Sequence, residues 1–165
     1  MESKKTGAVP ERDFYERLAE ETKALLGEGD APVSSLANTA ALLWHRLPNI
    51  NWVGFYILAG AELHVGPFMG QPACVSIPLG KGVCGKAAKE RRTIVVDKVA
   101  DFAGYIACDR DSRSEIVLPI SGKGGLRGVL DIDSPLEERF GKEDATGLAA
   151  IADLIAAAWP KGAAL

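Results

Sequence analysis

The chain has 165 residues, of which 25% are charged, and its formal net charge is only -3. A chain of this length can bury one ordinary hydrophobic core, which predicts a single domain. No basic stripe is available to follow a phosphate backbone, so the composition argues against a nucleic-acid partner. No apolar run has the length of a signal peptide or a membrane span, and we expect a cytoplasmic protein that does not contact a membrane.

The N-terminal part predicts two amphipathic helices behind a flexible lead at residues 1–10. Apolar residues recur on one helical face from Phe14 until Gly27, and on a second face from Val33 until Pro48 ends the run. Each helix therefore needs an apolar surface to cover.

The middle of the chain predicts short strands. Segments 51–58 and 62–66 have strand composition and are separated by a Gly-containing turn, which is typical of a hairpin. We expect a loop at 67–72, a strand that opens at Cys74, and a Gly-rich break before a short helix at 86–90.

The C-terminal part predicts further strands and one long helix. A strand at 93–96 precedes the irregular segment 97–113, which is longer than most connections and is a candidate functional loop. Two strands, 115–120 and 126–133, flank a Gly-rich turn, and an apolar helix follows at about 142–158. This order of elements predicts an α+β fold with an antiparallel sheet and helices on one face.

The three cysteines, Cys74, Cys84 and Cys108, are too few and too irregularly spaced for a secreted disulfide scaffold. A cysteine taken singly is more often a small buried hydrophobe than a reactive group. Cys84 comes just before a predicted helix N-terminus, whose backbone dipoles would lower the pKa of its thiol. Cys108 lies in the irregular loop and is followed closely by two arginines. These surroundings favour redox chemistry at Cys84 and Cys108.

Two carboxylates share one face of a predicted strand. Asp131 and Asp133 are spaced two apart, so both point to the face opposite Leu130 and Ile132. The pair either faces solvent or forms a polar pocket floor that binds an ammonium group and donates a proton. Glu115 opens the preceding strand and would join the pair if the register allows.

Two aromatic residues share a face in the same way. Trp52 and Tyr56 are four apart on one strand, with Gly54 between them. They either fill the core or form an aromatic wall beside a small ligand for which Gly54 leaves space. His45 and His64 have no Cys or Asp at metal-ligand spacing, so no metal site is predicted.

Several motifs occur together along the chain: Asn51-Trp-Val-Gly-Phe-Tyr, Cys74, Gly82-Val-Cys-Gly, Cys108-Asp, Ser114-Glu-Ile-Val-Leu-Pro and Leu130-Asp-Ile-Asp-Ser. In this combination the sequence resembles the free methionine-R-sulfoxide reductases, a catalytic branch of the GAF-domain fold, over residues 11–158. The resemblance implies a GAF-like domain at residues 11–160, followed by a tail at 161–165. It also implies a central antiparallel sheet of about six strands, with the N- and C-terminal helices on one face and a loop-covered ligand pocket on the other.

The resemblance further implies a role for each candidate residue. Cys108 attacks the sulfoxide sulfur and becomes a sulfenic acid, with which a second cysteine condenses. Cys74 is the favoured direct partner and Cys84 a second resolving or recycling thiol, and the order of these two stays open. Thioredoxin reduces the resulting disulfide, and no bound cofactor is implied. The remaining residues form the substrate pocket, in which an acidic group binds the ammonium and an aromatic wall surrounds the sulfur: Glu115, Asp131, Asp133, Trp52 and Tyr56.

Two other functions remain open from the residues alone. The first is a GAF regulatory module that binds a small ligand. The second is a thiol redox sensor, whose cysteines become oxidised without turning over a substrate. Apolar faces on the first and last helices also suggest a homodimer, provided that they are exposed.

Overall fold

Four α-helices and six β-strands form the described part of the chain, which comprises residues 12–27 and 29–159 of a computed structural model. The helices are α1 (Arg12–Leu25), α2 (Pro32–Arg46), α3 (Gly82–Glu90) and α4 (Lys142–Ala158). The strands are β1 (Trp52–Ala59), β2 (Glu62–Gly70), β3 (Ser76–Pro78), β4 (Ile94–Val96), β5 (Ser114–Gly122) and β6 (Gly125–Ser134). The predicted lead and tail lie outside the described residues.

The six strands form one antiparallel sheet in the order β3-β2-β1-β6-β5-β4. Two hairpins, β1-β2 and β5-β6, supply the long strands, and the β1-β6 pairing joins them in the middle. The predicted α+β fold with a six-stranded antiparallel sheet is therefore confirmed.

One face of the sheet is covered by the N- and C-terminal helices. Its side chains, such as Phe55, Leu118 and Ile132, form one apolar cluster with residues of α1, α2 and α4. Tyr15 of α1 packs directly against Gly147 of α4, where a Cβ would collide with its ring. Burial of this apolar area is the main stabilising term for the fold.

The opposite face is covered by α3 and by the connection from β4 to β5. Its cluster contains Trp52, Tyr56 and Val117 from the sheet, together with Val83 and Cys84 from α3. The connection holds only one turn of 3-10 helix, Val99–Asp101, and is otherwise irregular as predicted. The candidate site residues lie on this face.

Three predicted boundaries are wrong. Strand β2 continues through the expected loop to Gly70. Pro67 lies at a register shift of the β1-β2 ladder, so its missing backbone N–H does not interrupt the hydrogen bonds between the strands. Cys74 precedes β3 instead of opening it. Helix α3 begins at Gly82 rather than at residue 86, and at Gly85 it approaches the backbone of β3 so closely that a Cβ would collide with the carbonyl of Pro78.

The exposed apolar helix faces on which the predicted homodimer depends are not found among the described residues of α1 and α4. Within residues 12–27 and 29–159, the large apolar side chains that are exposed are Val33, Val75, Val95 and Leu136, none of them in α1 or α4. The dimer itself stays a prediction. In the same part of the chain, no helix combines the length and apolar character that crossing a membrane requires.

Candidate active site

Three carboxyl groups meet on the α3-covered face of the sheet. The register pairs Glu115 of β5 with Asp133 of β6, and Asp131 follows on the same face two residues away. All three are buried, with exposures of 5%, 6% and 8% for Glu115, Asp131 and Asp133. Because Glu115 lies directly opposite Asp133, it joins the acidic pair as the sequence allowed. Because all three side chains are buried, the pair does not face solvent.

Burial raises the pKa of each of these carboxyl groups. The pKa of Asp131 rises to about 6, since desolvation outweighs the hydrogen bonds that lower it. The pKa values of Glu115 and Asp133 rise well above the ordinary range, first through burial and then through repulsion by Asp131. A cationic guest would offset the repulsion among these groups and favour their ionised forms.

These carboxyl groups border a small cavity, which we call the acidic pocket. Its lining residues are Ile77, Gly82, Val83, Cys84, Tyr105, Ile106, Cys108, Asp109, Glu115, Asp131 and Asp133, with no Lys, Arg or His among them. Its volume of about 30 Å³ is close to the space of a single water molecule. Larger grooves, including one of about 440 Å³ between α1 and α4, contain none of the predicted site residues.

Cys108 and Cys74 are joined by a disulfide at the edge of the acidic pocket. The two residues are 34 positions apart in sequence, and their Cα atoms lie 5.3 Å apart. Cys108 comes from the β4-β5 connection and Cys74 from the loop before β3, so the bridge ties two irregular segments together beside the pocket. This is the pairing that the family resemblance implies.

Cys84 remains a free, buried thiol in the first turn of α3. Its Sγ lies 3.9 Å from Oε1 of Glu115. Burial, followed by the charges of Asp131 and Glu115, raises the pKa of this thiol well above its ordinary value. The expectation of a lowered pKa was wrong, because desolvation beside carboxylates outweighs the dipoles of the helix N-terminus.

Trp52 and Tyr56 belong to the core beside the acidic pocket and do not line it. The indole of Trp52 stacks on Phe68 at 5.2 Å and on Tyr56 at 5.9 Å between ring centroids. The Tyr56 hydroxyl donates to the carbonyl of Cys74 at 3.2 Å. The space expected above Gly54 is filled, since a Cβ there would collide with Phe68 and Trp52.

The sequence analysis assigned no role to several residues that border the site. Tyr105, Ile106 and Asp109 line the acidic pocket from the β4-β5 connection. The side-chain amide of Asn51 donates to Oδ2 of Asp109 at 2.9 Å and to Oγ of Ser112 at 3.2 Å. Because an irregular loop has no period, only the adjacency of Asp109 to Cys108 could have indicated its place.

A cation would also find ligands here. The ligand atoms of Cys84, Glu115 and Asp131 lie within 4.8 Å of one another, which is close enough to hold a metal ion. The sequence contains no adjacent histidine that would complete the set, and the absence of a metal stays a prediction.

Comparison with known proteins agrees with this geometry. The family model described as a GAF domain matches residues 33–159. The free methionine-R-sulfoxide reductase of Escherichia coli strain K12 is 48% identical over 136 residues, which cover 82% of this chain and 82% of that protein.

Two solved structures are similar over nearly their full length. A complex of the Staphylococcus aureus fRMsr with substrate has a TM-score of 0.84 and 45% identity, covering 92% of this chain and 99% of that one. The free methionine-R-sulfoxide reductase of Neisseria meningitidis in complex with its substrate has a TM-score of 0.86 and 36% identity, covering 96% of this chain and 95% of that one.

Proposed function

The chain belongs to the free methionine-R-sulfoxide reductase family of GAF-domain proteins, and on that basis we propose that it reduces free methionine-R-sulfoxide to methionine. The observation that carries this proposal is the Cys74–Cys108 disulfide at the edge of a buried acidic pocket. A bridge between two loops is the expected end state of a thiol that has reduced a substrate and been resolved by a second thiol.

The reaction divides between Cys108 and Cys74. The Cys108 thiolate attacks the sulfoxide sulfur, the oxygen passes to Cys108 as a sulfenic acid, and methionine leaves. The Cys74 thiol then attacks the sulfenic sulfur, the disulfide forms, and water leaves. A dithiol reductant, for which we propose thioredoxin, returns the bridge to two thiols and becomes a disulfide itself.

The raised pKa values assign different tasks to the carboxyl groups. Asp131, with a pKa of about 6, is ionised at neutral pH and pairs with the substrate ammonium. Glu115 and Asp133, whose pKa values lie well above their ordinary range because of burial and repulsion by Asp131, hold protons more tightly than free carboxyl groups, and one of them protonates the departing sulfoxide oxygen.

The small volume of the acidic pocket limits when substrate can bind. An amino acid needs far more space than about 30 Å³, so the part of the loop before Cys108, which contributes Tyr105 and Ile106 to the lining, must move outward after the disulfide is reduced. That movement would expose Trp52 and Tyr56, to which the proposal assigns the wall around the sulfur and methyl group. Cys84 is a supporting thiol here, because its raised pKa disfavours the nucleophilic thiolate.

A coupled assay tests the proposal. Reduced protein, thioredoxin, thioredoxin reductase and NADPH should give sustained NADPH oxidation with free methionine-R-sulfoxide, and much less with the S epimer or with the peptide-bound sulfoxide. Amide formation removes the ammonium and leaves buried carboxylates unsatisfied, which explains the preference for the free amino acid. Oxidation of the thiols without release of methionine would instead support a redox sensor.

Two other parts of the proposal rest on chemistry alone. No bound cofactor is needed, since the thiols supply both electrons. A cytoplasmic location suits the cycle, because a reducing compartment regenerates the thiols between turnovers.

A further inference from the structure

Asn51 lies at the start of the central strand and faces the segment that follows Cys108. Its backbone N–H donates to the carbonyl of Asp133 at 3.0 Å, which fixes its position relative to β6. Its side-chain amide donates to Asp109 at 2.9 Å and to Ser112 at 3.2 Å. Both amide hydrogens of Asn51 are therefore directed at the loop that carries Cys108.

The two acceptors bracket the end of that loop. Asp109 is the residue after Cys108, and its other oxygen, Oδ1, accepts the backbone N–H of Asp111 at 2.9 Å. Beyond Ser112, the backbone N–H of Arg113 donates to the carbonyl of Ser134 at 2.7 Å, where β5 begins to pair with β6. Asn51 thus spans the gap between Cys108 and the first residue fixed by the sheet.

The same contacts reach the acidic pocket. Asp109 lines the pocket beside Cys108, and its charge contributes to the raised pKa of Asp133. The Ser112 side chain also acts on the Asp133 carboxyl, whose pKa it lowers. Loss of the Asn51 amide would therefore release Asp109 and Ser112 together, while the carboxyl groups stay on their strands.

We propose that Asn51 is a positioning residue that holds the segment after Cys108 against the acidic pocket, so that the Cys108 sulfur meets a sulfoxide whose ammonium the carboxyl groups hold. This inference rests on the proposed function. An error of about 1 Å in the position of a nucleophile can cost 100-fold in rate. The chemical step, rather than substrate binding, should depend on Asn51.

The first test separates the rate from binding. In N51A, single-turnover methionine release by fully reduced protein should slow about 10-fold or more. Substrate affinity, measured by calorimetry with N51A placed in a Cys108→Ser background, should change by less than about threefold. N38A removes an exposed amide from α2 and should leave both values unchanged. An unchanged release rate, or equal losses of rate and affinity, would overturn the positioning role.

The second test exchanges the two partners. N51D places two carboxylates together and should be slower than N51A, whereas N51D combined with D109N restores the hydrogen bond with the donor on the loop. The exchanged pair should recover to within about threefold of D109N alone. A pair that remains as slow as N51D would contradict a hydrogen bond between these positions.

A third readout does not need substrate. Arg110 and Arg113 offer trypsin sites inside the held segment. Cleavage of the reduced protein there should be faster in N51A than in the natural protein or N38A. If trypsin cleaves the natural protein more slowly than N51A but the natural protein never releases methionine, the proposed function fails and the positioning contact stands. Equal cleavage rates for all three proteins would overturn the contact.

Discussion

The two faces of the central sheet are both buried, yet they have opposite chemistry. Along β6, Leu130 and Ile132 point under the helices, while Asp131 and Asp133 alternate with them on the face covered by α3. An antiparallel strand with this pattern usually has its polar side in water. Here the polar side is covered as well, so one strand contributes both to the core and to the site.

The difference between the faces can be expressed in free energy. A fully buried aliphatic side chain such as Ile132 stabilises the fold by about 1.5–3 kcal/mol. The pKa of Asp131 moves from 3.8 to about 6, which corresponds to a destabilisation of about 3 kcal/mol once the group is ionised. The helix-covered face favours folding, and the acidic face reduces that stability in return for a reactive site.

The largest effect on activity is expected at Cys108, which borders the acidic pocket. Cys108→Ser removes the nucleophile, and turnover should fall by at least about 1000-fold while the fold is kept. Methionine release should be measured in a single turnover. Stoichiometric release by this variant would show that another residue attacks the sulfoxide.

On the helix-covered face, Ile132→Ala should destabilise the protein without altering the chemistry. Truncation of a fully buried isoleucine costs about 2–5 kcal/mol, because it removes apolar burial and leaves a cavity. Urea unfolding measures the loss. At a temperature where the variant is folded, its single-turnover rate should stay within about threefold of the natural rate, and a larger fall would mean that the faces are not separable.

The neighbouring change, Asp131→Asn, should act in the opposite sense. At pH 8 it removes a buried charge and should stabilise the protein by about 1–3 kcal/mol, while kcat/KM falls because the ammonium loses its partner. A loss of stability at pH 8 would contradict the account of the acidic face.

The pH dependence gives this prediction its sign. A carboxyl whose pKa is raised in the folded state, as that of Asp131 is, stabilises the fold fully below about pH 4. That contribution is lost as the pH rises through about 6. The advantage of the asparagine variant in Tm should therefore grow between about pH 4 and 6 and level off above that range, and an advantage that does not change with pH would point to a cause other than ionisation.

The smallest effect on activity is expected at Tyr56, a core residue whose hydroxyl contacts the backbone of Cys74 beside the disulfide. Tyr56→Phe deletes the hydrogen bond to the Cys74 carbonyl, worth about 0.5–1.5 kcal/mol, and keeps the ring stack with Trp52. Reoxidation should slow slightly after methionine release, while release itself is unchanged. Stopped-flow measurement of both steps checks this, and a slower release would place the hydroxyl at the sulfoxide.

Periodic features were predictable from the sequence, and irregular ones were not. Alternation along β6 places Asp131 and Asp133 on one face because a strand has a period of two. The depth of their burial depends on α3 and on a loop without a period, so the sequence left it open. The helical bounds of α4 agree with its apolar repeat.

Two errors have a shared physical cause. The pKa of Cys84 and the space beside Gly54 were judged from local sequence, but distant elements determine both. Carboxyl groups from β5 and β6 raise the pKa of the thiol, and Phe68 of β2 closes the space. Contacts of this kind depend on tertiary packing, which a single sequence does not display.

The most direct test of the central claim is one turnover of the fully reduced protein with free methionine-R-sulfoxide and no reductant, followed by peptide mapping. We expect about one equivalent of methionine per chain, with a new disulfide between Cys74 and Cys108 and a free thiol at Cys84. A bridge that contains Cys84, or a disulfide formed without methionine, would contradict the account.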